Sequence, residues 1–229
     1  MRRTSASIGP GDLDTPPPLD LPTPSGALDA PAARRNAAPL LAVLRAVLPA
    51  TGTVLEVGSG TGQHAAAFAA ALTPRLWLPT EVDDDRRSSV ALWAALTPPD
   101  TRPLPARALD AAASSQTWPI SRADNIRAMV SSNVIHIAPW EVAHGLIAGA
   151  AHWLEPGDPL ILYGPFHRDG RVTSDGNAAF DAELRRRDPR CGIRDLEREV
   201  VPAAEAAGMR LDTLHPMPAN NLAAVFRRT

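Results

Sequence analysis

Short apolar runs alternate along this chain with stretches of helical periodicity, and breaks rich in glycine, proline and aspartate separate them. Runs at 53–57, 76–81, 105–109, 126–132 and 159–163 predict strands, because each is brief, apolar and bounded by turn residues. Stretches at 39–48, 63–72, 86–96 and 139–154 predict helices, the last entered through Pro139, whose missing amide proton costs little in a first turn. Strands and helices in alternation imply a parallel sheet covered on both faces. Beyond Gly164 the pattern loosens, with helical pieces at 178–187 and 196–207. Two closing strands, 209–214 and 222–227, flank the segment 216–221, a connection that suits an antiparallel pair. The expected fold is α/β, with a seven-stranded, mostly parallel sheet, an antiparallel final strand and helices on both faces.

The head of the chain behaves differently. Residues 1–30 hold Pro10, Pro16, Pro17, Pro18, Pro22 and Pro24 among small and acidic residues and show no apolar periodicity. Such a segment buries too little to offset its ordering entropy, so the sequence predicts a disordered tail or a mobile cover, with residues 31–229 as one domain. The 229 residues, 45% of them hydrophobic, suffice for one full core. A single cysteine, Cys191, excludes an internal disulfide and suits a reducing compartment. No apolar run is long enough to span a bilayer, and Arg2-Arg3 leads into polar residues rather than an export signal, so the expected location is cytoplasmic. The net charge of −2 offers nucleic acid no electrostatic footprint.

Chemistry concentrates where the first strand ends. Thr53-Val54-Leu55-Glu56-Val57 runs into Gly58-Ser59-Gly60-Thr61-Gly62 and then an alanine-rich helix. Alternating glycines allow a sharp turn and leave no Cβ in the way of a ligand lying across it. Two registers fit. Gly60-x-Gly62-x-x-Ala65 matches a dinucleotide fingerprint, with a pyrophosphate on the amides at the helix start. Read instead from Glu56, the string places a carboxylate at the strand end, which suits a cationic ligand such as S-adenosylmethionine better than a pyrophosphate. Glu81, at the end of the second strand, can accept ribose hydroxyls in either case. The closing hairpin favours the second register, since the sheet consumes most of the chain and leaves little for the catalytic domain a nicotinamide dehydrogenase needs.

Further segments carry a resemblance. They are Arg35-Asn36 with Pro39, the stretch from Glu56 to His64, Pro79-Thr80-Glu81, Leu109-Asp110, the run from Asn133 to Glu141, Leu162 to Phe166, Ser174 to Asp181, Gly192 to Leu196, and Pro216 to Asn221. With these the chain resembles the class I S-adenosylmethionine-dependent methyltransferase-like proteins grouped as domain of unknown function 938, which include methyltransferase-like protein 26. The resemblance spans nearly everything after the head. This chain departs from the usual family pattern at Arg34, Glu81, His167 and Val172, two of them in the acceptor region.

The resemblance implies a Rossmann-like class I methyltransferase fold and methyl transfer from S-adenosylmethionine to a small-molecule acceptor, as in specialised metabolism, with S-adenosylhomocysteine as product. Two other readings stay open: a protein that binds the donor without transferring its methyl group, and a nucleotide-dependent oxidoreductase. Expected cofactor residues are Arg35 and Asn36 before the first helix, Glu56, Gly58, Ser59, Gly60 and Gly62 at the turn, Glu81 and Val82 after the second strand, Asp110, and Asn133. His136 and His167 are the catalytic candidates, because they follow strand ends and imidazole titrates near neutrality. Trp140, Tyr163, Pro165, Phe166, Asn177 and Asn221 are expected to line the acceptor pocket. No metal is expected, since His144 and His152 lack the spacing of a zinc helix.

Overall fold

The computed structural model of the protein describes residues 21–229. Strands β1 (Thr53–Val57), β2 (Leu76–Thr80), β3 (Ile126–Ser132), β4 (Pro159–Pro165), β5 (Met209–Met217) and β6 (Asn221–Arg228) form one sheet in the order β2-β1-β3-β4-β6-β5. The first four are parallel, and β6 runs antiparallel between β4 and β5. Both central strands β1 and β4 are buried along their whole length, as near-continuous apolar runs require when helices cover both faces.

The described sheet has six strands where the sequence predicts seven. The segment 105–109 makes only a parallel bridge, Thr80 to Arg107, beside β2. Three hydrogen bonds hold it there: Leu104 N to Trp77 O, Arg107 N to Pro79 O and Glu81 N to Arg107 O. A regular ladder fails because Pro79 and Pro105 have no amide proton to contribute. The segment therefore lies at the sheet edge as an irregular extension, still bringing Leu109 and Asp110 toward the carboxyl ends of the strands.

Helix α1 (Pro31–Val47) begins earlier than the expected 39–48. Pro31 enters at the first turn, and the buried face of Asn36, Ala37, Leu40, Val43 and Leu44 anchors the helix through the interior Pro39. Full burial of Leu40 and Leu44 contributes roughly 1.5 to 3 kcal/mol each, enough to outweigh one lost helical hydrogen bond. With α1, helix α2 (Gln63–Ala71) covers one face, packing Phe68 with Leu40 and Leu44 over Val54, Trp77, Val130, Ile161 and Val225. Helix α3 (Asp84–Ala94) flanks α2 and is capped by Asp83, which accepts from Arg86 N. A single-turn helix, α4 (Val134–Ile137), follows β3, and α5 (Trp140–Trp153) then covers the opposite face with Leu146 and Ile147 over Leu55, Leu78, Met129 and Leu162. Helix α6 (Asp175–Arg187) is capped by Ser174, and α7 (Val201–Ala206) leads into β5.

Of the head for which the sequence predicts disorder or a cover, residues 1–20 lie outside the described residues. Residues 21–30 run against α2 and α3. Leu28 N donates to Ser89 Oγ, Trp93 Nε1 donates to Leu28 O, and Ala30 N donates to Gln63 Oε1.

Candidate functional site

The parallel strands end together on one edge, and the glycine turn leaving β1 forms its floor. Gly58 N and Ser59 N both donate to Thr80 O, while Thr80 N donates back to Ser59 Oγ, so the turn is stitched to the end of β2. Gly58 and Gly60 have φ of 74° and 57°, a region that L side chains rarely adopt. A Cβ on Gly58 would lie 2.4 Å from Val134 Cγ2, and one on Gly62 would lie 2.5 Å from Val90 Cα. Those two glycines allow close packing. A Cβ on Gly60 would meet nothing within 4 Å, because it would project into open space above the turn.

That space is a cavity of about 370 Å³. Of the expected cofactor residues, Asn36, Glu56, Gly58, Ser59, Gly60, Glu81, Val82, Asp110 and Asn133 line it. Glu56 is buried at its base and accepts a hydrogen bond from Trp77 Nε1 at 3.0 Å. Burial pushes its pKa up to about 7, although the Trp77 and Ser59 hydrogen bonds pull the other way. Glu81 is drawn back onto the backbone, its carboxylate accepting from Gly60 N at 2.8 Å and Val82 N at 2.9 Å. Asp110 accepts from Ala112 N, closing an ordinary turn with one oxygen and leaving the other to the cavity. Val82 is 64% exposed at the rim, an apolar side chain open to a ligand that would cover it.

A second cavity, of about 730 Å³, adjoins the first and shares Ala32, Asn36, Asn133 and Ile137 with it. Tyr163, Pro165, Asn177 and Asn221 line this space as expected of an acceptor pocket, and so does Arg35, which the sequence assigns to the cofactor. Burial raises the Tyr163 pKa against the opposing pull of hydrogen bonds from Asn36 and Asn221. Asn133, at φ 64°, caps α4 and stands between the two cavities.

Five residues expected at the site line neither cavity. His136 is fully buried under Gly164, its ring edge-on to Phe166 and its Nδ1 accepting from Arg194 N at 3.2 Å. Burial, reinforced by the Arg194 guanidinium, holds its pKa down at about 3. Phe166 is a core residue, Trp140 packs against the same core and stands edge-on to His144, and His167 lies 3.9 Å from Asp181. Gly62 serves packing against α3. His64 and Ser132 are among the residues of the first cavity that the sequence does not assign to the site. His64, on the first turn of α2, donates from Nε2 to Asn36 Oδ1 at 2.7 Å, and burial lowers its pKa to about 4. Ser132 Oγ is buried and has no partner among the described residues. Their positions directly after the glycine string and directly before Asn133 are the signals that point to them.

The first cavity fits an adenosyl sulfonium ligand on three observations: the open position at Gly60, the orphaned Ser132 hydroxyl and the buried Glu56 carboxyl at its base. Among the described residues no group of three or more His, Cys, Asp or Glu is arranged to hold a metal ion, and no helix is long and apolar enough to cross a membrane.

Solved structures share this architecture. An O-methyltransferase family 2 protein from Planctomyces limnophilus, in complex with apigenin, aligns over 86% of this chain and 58% of its own at a TM-score of 0.70 and 18% identity. An O-methyltransferase family protein from Burkholderia thailandensis aligns over 83% of this chain and 55% of its own, at a TM-score of 0.69 and 14% identity. Magnesium protoporphyrin IX methyltransferase from Synechocystis, with bound S-adenosylhomocysteine, aligns over 84% and 82% at a TM-score of 0.63 and 15% identity. The chain thus spans a little over half the length of the first two, and the likeness establishes a Rossmann-like class I methyltransferase fold. The family described as protein of unknown function DUF938 matches residues 28–228, nearly the whole chain, and the protein belongs to that family.

Proposed function

We propose that the protein binds S-adenosylmethionine in the first cavity and methylates a small molecule held in the second. The observation that carries this reading is the junction: two adjoining cavities at the carboxyl edge of the sheet that share Ala32, Asn36, Asn133 and Ile137 in their walls. Open α/β sheets hold their ligands at this edge.

Each end of the first cavity has suitable chemistry. Glu56, ionised by an approaching ammonium, anchors the amino-acid portion together with Ser132 and Asn133. Glu81 has lone pairs left for ribose hydroxyls, and Val82, Leu109 and Asp110 provide two apolar walls and an acceptor for an adenine ring and its amino group. When bound, the sulfonium supplies an activated methyl group. The residues of the chain then have to align an acceptor across the junction and exclude water, and alignment of this kind contributes roughly 7 to 11 kcal/mol.

Residues 31–229 make up the transferase domain in this reading. Residues 21–30 serve as its cover, since Leu28 and Ala30 are hydrogen-bonded to α3 and α2 and Ala30 reaches the rim of the first cavity. The single cysteine and the small negative net charge favour a cytoplasmic protein acting on neither nucleic acid nor membrane.

Calorimetric titration with S-adenosylmethionine and with NAD tests the cofactor. Heat from the first and none from the second is expected, and the reverse removes the reading. Mass spectrometry then tests transfer, because a transferase must release S-adenosylhomocysteine.

A further inference from the structure

The walls of the second cavity specify the charge of what enters it. Among the described residues they carry one ionic group, the guanidinium of Arg35, and no carboxylate, histidine or cysteine. The neighbouring Arg34 is tied to Asp29. Arg35 pairs with no carboxylate among the described residues, and so presents an uncommitted fork of donors to the cavity.

Two hydroxyls add to it. Asn36 Oδ1 accepts from His64 Nε2, which turns the Asn36 amide N–H toward Tyr163, and Asn221 also hydrogen-bonds the phenol. With those amides donating to its oxygen, the Tyr163 proton is free to be donated into the cavity. Ser174 Oγ accepts from Asn177 N, so its own proton is likewise free.

Among the described residues the same walls hold nothing to remove a proton. His136 is sealed beneath Gly164, His167 lines neither cavity, and His64 lines only the first cavity, where burial lowers its pKa to about 4. An acceptor that must lose a proton in the reaction would find no base, whereas one already ionised at neutral pH needs none.

We propose that the acceptor is a small carboxylic acid, which enters the second cavity as its anion, is held by Arg35, Tyr163 and Ser174, and is methylated on a carboxylate oxygen. This rests on the cofactor reading above. A carboxylate lone pair forms the new oxygen–carbon bond, the methyl–sulfur bond breaks, and its electron pair stays on sulfur as the thioether. The products are a methyl ester and S-adenosylhomocysteine, and no proton is released.

Benzoate and benzamide, equal in shape and different in charge, are the probes, and Ile137 and Phe180 supply apolar surface for their ring. The full chain is titrated first with S-adenosylhomocysteine, and the loaded protein then with each probe. Benzoate is expected to bind roughly tenfold or more tightly than benzamide. Arg35→Gln should abolish that preference and Arg35→Lys retain part of it, while S-adenosylhomocysteine affinity stays within about twofold of the parent. With tritiated methyl donor, benzoate should yield a product that releases volatile methanol in alkali. Equal binding of the two probes, no binding of benzoate, benzoate bound without label transfer, or a loss in Arg35→Gln that falls on S-adenosylhomocysteine instead, each overturns the proposal. Absence of heat in the first titration strikes the cofactor reading, and the proposal with it, before any probe is added.

Discussion

Glu56 stores a conflict between stability and binding that a single amide substitution exposes. Its carboxyl is buried at the base of the first cavity with a pKa of about 7, against an ordinary value of 4.5, chiefly because burial disfavours the charged form. In the unfolded chain it ionises from about pH 4.5 upward, while in the fold it keeps its proton until about pH 7. A raised folded pKa means that stability is full below the unfolded value and falls as pH rises toward the folded one. The shift is worth about 3 kcal/mol at pH 8 and about 1 kcal/mol at pH 5. Glu56→Gln keeps an acceptor for Trp77 Nε1 and cannot ionise. It should therefore exceed the parent in unfolding free energy by about 3 kcal/mol at pH 8, the advantage shrinking to about 1 kcal/mol at pH 5. Urea unfolding of both proteins at the two pH values measures this difference directly. The same substitution should weaken S-adenosylmethionine binding at least roughly tenfold, since it removes the charge that meets the ligand ammonium. In the parent at pH 7 binding should release about half a proton, read from calorimetry in buffers of different ionisation enthalpy, and in Glu56→Gln none. A stability difference that is the same at pH 5 and pH 8 would refute the argument.

Other expectations follow from the same geometry. His136 and His64, buried neutral with pKa values of about 3 and 4, contribute stability that is full above the ordinary histidine value of 6.5 and is lost as pH falls below it. The loss is about 2 kcal/mol for each by pH 5. Imidazole NMR should show His136 unprotonated down to pH 4, and titration near 6.5 would contradict its burial. Gly60→Ala should cost about 1 kcal/mol through its positive φ and lower donor affinity roughly tenfold as the methyl group enters the cavity, whereas Gly58→Ala should unfold more readily because its Cβ meets Val134. Thermal unfolding and donor titration of the pair check this ordering. Ala219 sits at φ 58° beside the second cavity, so Ala219→Gly should stabilise the protein by about 1 kcal/mol. That gain should raise the melting temperature by roughly 2 to 4 °C. A lower melting temperature would show that the strain is absent.

Much of this protein is legible locally. Strands β1 and β4 are short apolar runs with few alternatives, and the glycine string after Glu56 has to turn because its residues adopt positive φ with so little strain. Strand ends then locate Glu81, Asp110 and Asn133 at one edge. What the sequence alone did not decide depends on partners far away in the chain. Pro79 and Pro105 meet only once β2 and the edge segment lie side by side, and there they deny the ladder its donors and remove a strand. His136 follows a strand end, the position that made it a candidate base, yet residues 164 and 192–194 close over it and make it a neutral wall residue. Arg35 turns to the second cavity because α1 begins at Pro31 and sets the phase of that helix. Glu56 holds its proton because the surrounding core shuts out water, against the pull of the Trp77 hydrogen bond. Backbone conformation is set by near neighbours, and so it can be read along the chain, whereas solvation, charge and access belong to surroundings that only the folded chain assembles.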